Sequence, residues 1–342
     1  MQLTRKGAGP QIRIWALLGA RAGDNDQVLA LAEAIGLPFE TKQLEYNRLR
    51  VLGPRLLGRS LLSLTRNSRS SILGDLPPDL TISAGHRSVA VVRALRHRSK
   101  RRTRSIHIGF PRVSPGHFDL VIATPQYPIP DHPRLLRVPY ALTRTATTEG
   151  DPSDRAQLDA MPRPRALLIV GGPTLFWDLD ESALLQTLVG MIDEAEDHGG
   201  SVLVTTSPRT PRSLGDMIAK TLEAAEVSSL LAAPGKPPRY TSLLAAGESI
   251  RITADSVAMV SDAIWSAKPL ALVPVAKSPL GRIAMAVADG LRQRLYPQDL
   301  RSFWRALARI GVGEQLGTAQ TSTDEQVRLI LDRVHPILEG IG

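Results

Sequence analysis

Short apolar runs alternate with amphipathic stretches along almost the whole chain. The run 12–18 leads through a glycine-containing turn into a helical pattern over 26–35, and 80–83 leads through Ala84-Gly85 into another over 88–96. Two more short apolar segments, 105–109 and 119–123, have the continuous hydrophobicity of strands covered on both faces. Strand-like and helix-like segments in alternation predict βαβ units and a doubly wound parallel sheet.

The pattern lapses over 143–165, a polar stretch with three prolines that reads as an interdomain linker. It then restarts, with strand-like runs at 166–170, 202–205, 249–253 and 270–273 and helix-like runs at 182–195, 214–225 and 256–267. The last segment, 302–342, reads as helical and is expected to cross back onto the first domain. A chain of 342 residues exceeds what one hydrophobic core usually serves. Two α/β domains follow, 1–150 and 151–342, each Rossmann-like, facing each other across a ligand cleft.

Composition narrows the function classes. There is no cysteine, so neither a disulfide framework nor a thiolate metal site exists, which fits a reducing compartment. The run 11–20 is too short to span a bilayer and no small-residue cleavage site follows it, so a cytoplasmic protein is expected. Residues 1–150 hold 23 Lys/Arg against 10 Asp/Glu, whereas 151–342 hold 19 against 23. The basic half is therefore expected to meet something anionic. Only 4% of residues are aromatic and no nucleic-acid module is recognisable, so no nucleic-acid partner is expected. The seven histidines are scattered without metal-ligand spacing, and no metal is expected.

Candidate chemistry collects where strand-like runs end. Gly19 and Gly23, four apart, with Asp24, Asn25 and Gln27, form a loop able to approach a ligand closely, or a tight βα turn capped by Asp24 or Asn25. It lacks GxGxxG and the Walker Lys-Ser/Thr, which argues against ATP or NAD bound by those routes. His86 and Arg87 follow the next strand as a base and an anion contact, or as an exposed capping turn. In the second half, Gly171, Gly172 and Thr174 could cradle a phosphate or sugar. Ser207, Arg209 and Thr210 could clamp a diphosphate, or make ordinary Ser/Thr-Pro turns. Thr253, Asp255 and Ser256 open a helix on which Asp262 could accept hydrogen bonds from ribose, or be a solvated carboxylate behind a cap.

The run TADSVAMVSDAIWSAKPLALVP, with GARAGDNDQ, FDLVIATPQYPIP, GGPT and SPRTP, resembles the "elongated mitochondria" fission-protein family, from about residue 12 to the last helix. That family is similar to GT-B glycosyltransferases, including the enzyme that builds the lipid-linked peptidoglycan precursor. The resemblance implies a metal-independent enzyme with no cofactor. A nucleotide-sugar donor, UDP-linked, would sit on Gly171–Thr174, Ser207, Arg209 and Thr210, face Thr253, Asp255 and Ser256, and have its ribose held by Asp262. Gly19, Gly23, Asn25, Gln27 and Arg87 would line the acceptor side, with Asp24 or His86 as the catalytic base. Two positions depart from the pattern: Asp262 stands where Glu is common, and Asp24 where the precursor enzymes have His.

The implied activity is transfer of a sugar from a nucleotide diphosphate to a cell-envelope or lipid-linked acceptor. The segment 48–64, RLRVLGPRLLGRSLLSL, and the basic run 93–104 raise the expectation of peripheral contact with the inner face of the cell membrane. A core-packing helix broken at Gly53-Pro54, plus a solvated basic loop, reads them otherwise. Two other readings of the whole remain open: a non-catalytic membrane adaptor on the same fold, and a nucleotide-sugar epimerase.

Overall fold

The structure is a computed structural model that describes residues 12–144, 150–290 and 298–341. The chain divides into two compact units. The first takes residues up to 124, then 129–138 and the segment from Asp324 on; the second takes 125–128 and 139–323.

The first unit runs β1 (Ile14–Leu18), α1 (Ala22–Ile35), β2 (Phe39–Gln43), a 3-10 turn at Arg48–Val51, α2 (Pro54–Leu57), α3 (Arg66–Gly74), β3 (Leu80–Ala84), α4 (Gly85–Arg98), β4 (Arg104–Ile108), β5 (Leu120–Ala123) and β6 (Leu135–Arg137). Its six strands are all parallel, in the order β2-β1-β3-β4-β5-β6. The second unit runs α5 (Pro152–Asp159), β7 (Arg165–Val170), β8 (Trp177–Leu179), α6 (Glu181–His198), β9 (Ser201–Thr206), α7 (Arg212–Glu223), β10 (Ser228–Ala232), α8 (Tyr240–Ala246), β11 (Ser249–Thr253), α9 (Val257–Trp265), β12 (Leu270–Val273), β13 (Val275–Lys277), α10 (Pro279–Gly290) and α11 (Leu300–Ala308). Its parallel sheet has the order β10-β9-β7-β11-β12, with β8 and β13 as a separate antiparallel pair. The C-terminal half of the last helix, α12 (Thr323–Glu339), is tied to the first unit: Arg333 Nη2 donates to the Pro133 carbonyl at 2.6 Å, and Arg104 Nη2 of β4 donates to that of Gly340, just past the helix, at 3.2 Å.

The second sheet shows why its strands read as unbroken apolar runs. Leu167, Ile169, Leu203, Ile250 and Ile252 point to one face, where Leu243 and Leu244 of α8, Val260 and Ala263 of α9 and Phe303 of α11 cover them. Their neighbours Leu168, Val170, Val202 and Val204 point to the other, under α6 and α7. With both faces dry, alternation disappears from the sequence and only length marks the strand.

The stretch 143–165 is not bare linker: α5 lies within it, with Leu158 buried in the second unit's core, and residues 145–149 lie outside the described residues. The terminal stretch is two helices, not one continuous pattern. Between them, Leu272 N donates to the Gly313 carbonyl at 2.7 Å and Leu270 N to that of Gly317 at 2.8 Å, so this connection covers the edge of β12. The strands β2 and β10 were not foreseen because they sit at sheet edges and bury little of their side chains.

Ile252 is fully buried on β11, between β7 and β12. Ile252→Ala is therefore expected to cost the second unit about 2–5 kcal/mol in denaturant unfolding. A loss below about 1 kcal/mol would contradict a central, two-sided β11.

Candidate functional site

In each sheet the chain order reverses once. The first chain path steps from β1 outward to β2 and returns to β3 on the other side; the second runs β7-β9-β10 and returns to β11 beside β7. Loops leaving the carboxyl ends of two such neighbouring strands diverge and open a crevice, where open α/β sheets bind ligands. The candidate residues from the sequence fall at these two points, one in each unit.

In the second unit, the loops after β7, β9 and β11 are tied together by one carboxylate. Asp255 is buried, and its oxygens accept from the Thr253 hydroxyl at 2.7 Å, from Gly172 N–H at 3.1 Å and from Arg209 Nη2 at 2.9 Å. Thr253 Oγ1 in turn accepts from Gly171 N–H at 2.7 Å. Arg209 Nη1 donates to the carbonyls of Gly172 at 2.6 Å and Pro173 at 3.2 Å. The Thr210 hydroxyl donates to the Gly171 carbonyl at 2.5 Å and accepts from Ser207 N–H at 2.9 Å. The Ser207 hydroxyl accepts from Arg209 N–H at 3.2 Å.

This closeness explains the glycine pair. A Cβ on Gly171 would stand 2.1 Å from Asp255 Oδ1, and one on Gly172 would stand 2.5 Å from the Arg209 backbone carbonyl. Any side chain at either position would drive the three loops apart. The Arg209 side chain stays 42% exposed while its partner Asp255 is 1% exposed, so the pair presents a fixed guanidinium to solvent. Ser256 caps α9, its hydroxyl accepting from Met259 N–H at 3.5 Å. The first amides of α9 thus lie just beyond Asp255, and a helix start carries partial positive charge.

Two predicted donor residues stand apart from this network. Thr174 closes the turn before β8, its N–H donating to the Trp177 carbonyl at 2.7 Å. Asp262 is buried within α9, and its Oδ1 accepts from the Thr143 hydroxyl at 2.6 Å. It is not a solvated carboxylate. Nor does it share a helix face with Asp255, which precedes the helix. The Tyr240 phenol is raised well above its ordinary range, by burial first and by the Asp262 carboxylate second.

In the first unit, Gly19 follows β1 and its backbone is held by side chains: Gly19 N–H donates to Asn25 Oδ1 at 2.7 Å, while Asn25 Nδ2 and Gln43 Nε2 donate to its carbonyl at 2.9 and 3.2 Å. Gly23 does not turn the chain. It lies in the first turn of α1, with Gln27 Nε2 donating to its carbonyl at 3.2 Å. Neither Asp24 nor Asn25 is the helix cap, a position held by Arg21.

Asp24 instead faces the start of α4. Its Oδ2 lies 2.9 Å from where a Cβ on Gly85 would stand, and Gly85 has φ +70°, so glycine is required there on both counts. Burial raises the Asp24 carboxyl above its usual range, against the pull of Arg21 and Arg87. Burial raises the Tyr46 phenol too, with Arg87 opposing and Asp24 adding. His86 is pushed down to about 4, by burial first and then by Arg112, Arg87 and Arg21. Asp24, Tyr46 and His86 thus all feel the charge of Arg87, while Arg21 acts on both Asp24 and His86 and Arg112 acts on His86. Arg112 comes from the loop after β4 in the left-handed region, φ 58°. Deeper in the sheet, His107 Nδ1 lies 3.1 Å from Ser83 Oγ, its ring stacked on Phe118.

Between about pH 6.5 and 4 the unfolded chain protonates at His86 while the folded chain does not, so that share of stability is present above pH 6.5 and lost as pH falls toward 4. The His86 ring signals in an NMR titration are expected to stay fixed from pH 8 down to about 5.5 and to move with a midpoint near 4. A midpoint near the ordinary 6.5 would mean that His86 is hydrated and not faced by the arginines.

An uncharacterized protein of Rickettsia prowazekii (strain Madrid E) is 24% identical over 297 residues, 76% of this chain and 82% of the relative. The mitochondrial fission protein ELM1 of Arabidopsis thaliana is 24% identical over 226 residues, 57% of this chain and 51% of the relative, so the match spans about half of the plant protein. Among solved structures, the UDP-GlcNAc 2-epimerase of Methanocaldococcus jannaschii superposes with a TM-score of 0.53 at 11% identity, covering 95% of this chain and 99% of that one. The likeness places the chain in the GT-B fold class. The family profile described as "Mitochondrial fission ELM1" matches residues 22–308.

Proposed function

The chain belongs to the Mitochondrial fission ELM1 family, and on that premise we propose that it is a glycosyltransferase. It moves a sugar from a nucleotide diphosphate, UDP in the first instance, to an anionic or lipid-linked acceptor at the cytoplasmic membrane face. The observation that carries this reading is the Asp255–Arg209 pair at the reversal point of the second sheet. It holds a guanidinium beside two closely packed glycines and the start of α9.

In such a transfer the bond from the sugar's anomeric carbon to the diphosphate breaks, and the leaving diphosphate takes the electron pair. Arg209 and the first amides of α9 stabilise that charge. An acceptor hydroxyl forms the new bond and loses its proton to a base. Asp24 fits that role better than His86: burial raises its affinity for a proton, whereas burial and three arginines lower that of His86. Arg21 and Arg87 give the same crevice a preference for anionic acceptors.

Asp262 enters this reading in altered form. Its contact with Thr143 means that a ribose at this place would have to share the carboxylate with the Thr143 hydroxyl or displace it. The donor diphosphate, held by Arg209 and the glycine loop, is therefore the better test.

Calorimetric titration with a panel of nucleotide diphosphates and nucleotide-sugars is expected to show binding of one nucleotide class. Arg209→Ala should weaken it by about 10- to 100-fold, the worth of charge-assisted hydrogen bonds to phosphate. A folded protein that binds none of the panel would overturn the donor site and leave the non-catalytic adaptor as the better reading.

A further inference from the structure

The segment between β2 and α3 places apolar side chains in water without leaving them loose. Val51 is 83% exposed, Leu56 78% and Leu62 54%, with Leu49 and Leu52 also exposed. The backbone carrying them is pinned. Asn47 Nδ2 donates to the carbonyls of Leu62 at 2.7 Å and Leu64 at 2.9 Å, and Asn47 Oδ1 accepts from Leu49 N–H at 2.8 Å. Pro54 and Leu57 are buried, and Arg93 Nη1 of α4 reaches the Pro54 carbonyl at 3.4 Å. Buried anchors on one side therefore fix leucines and a valine that point away from the core. A loop that served only to connect would not need apolar side chains there.

Charge selects the partner. Residues 46–74 contain six arginines and no acidic residue, and Arg48, Arg50, Arg55, Arg59 and Arg66 are all exposed. The positive field reaches Arg93 of α4, lowered by burial and then by Arg59, and His117 after β4, lowered by burial and then by Arg93 and Arg59. A second copy of the chain presenting the same face would meet it with like charge. Nucleic acid would match the arginines but not the exposed aliphatic side chains, since residues 48–62 contain no aromatic residue for stacking. Aliphatic tips set among arginines match the boundary between acyl chains and phosphate headgroups.

We propose that residues 48–62 form a docking face for a bilayer rich in anionic phospholipid. Val51, Leu56 and Leu62 enter the acyl boundary, and the arginines between them meet lipid phosphates. This inference rests on the membrane-face part of the proposed function and not on the donor chemistry, so each can fail without the other.

The test is co-sedimentation of the full chain with phosphatidylcholine vesicles and with vesicles that also contain phosphatidylglycerol, at low and high salt. Binding is expected only to the mixed vesicles and is expected to weaken with salt. Replacing Arg48, Arg50 and Arg55 together by Ala should lower it by about 100-fold. The double variant Val51→Asp/Leu56→Asp should abolish it, with circular dichroism and nucleotide titration unchanged to show that both variants keep the fold and the donor site. Absence of binding by the full chain, or equal binding by the variants, overturns the proposal. So does a dimer in gel filtration that Val51→Asp/Leu56→Asp dissolves, because the face would then belong to a second copy.

Discussion

Asp255 has almost no contact with solvent, and its charge is met by a threonine hydroxyl, a glycine amide and an arginine. A carboxylate so enclosed must keep its partners, because each donor left unpaired in a buried setting costs about 1–3 kcal/mol. The consequences spread outward along three strands. Thr253 is fixed at the end of β11 and holds Gly171 at the end of β7. Gly172 and Arg209 are drawn so close that no side chain fits between the loops. One buried negative charge thereby sets the shape of the crevice and the direction of the exposed guanidinium.

The first unit solves a similar geometric problem with different chemistry. Asp24 and Gly85 meet across the ends of β1 and β3, as Asp255 and Gly171 meet across β7 and β11. Here the carboxylate is only partly enclosed and shares its surroundings with arginines, a half-buried histidine and a tyrosine. The second crevice is built for rigidity around a charge pair. The first keeps titratable groups near one another in a positive field.

Much of this was legible in the sequence because it depends on local rules. Strands such as β7 announce themselves by unbroken apolar runs, and the glycines after them by their position at a strand end. What was not legible depends on partners distant in the chain. Thr143 meets Asp262 from 119 positions away, so nothing local distinguishes that aspartate from a free ligand contact. Gly23 sits beside a turn but belongs to a helix, since Gly19 alone, held by Asn25, redirects the chain. Arg112 reaches the first crevice from a loop whose sequence gives no sign of its left-handed backbone. The aliphatic side chains of 48–62 were visible as a pattern, but whether they were core or surface depended on which of them Pro54, Leu57 and Asn47 leave outside.

The central claim is that the loops organised by Asp255 receive a nucleotide diphosphate. Hydrogen–deuterium exchange of the full chain, with and without saturating UDP-sugar, tests it most directly. Slower exchange is expected in peptides covering 170–174, 206–210 and the first amides of α9, with loss of that protection in Arg209→Ala. Unchanged exchange in all three, or protection confined to the first unit, would contradict it.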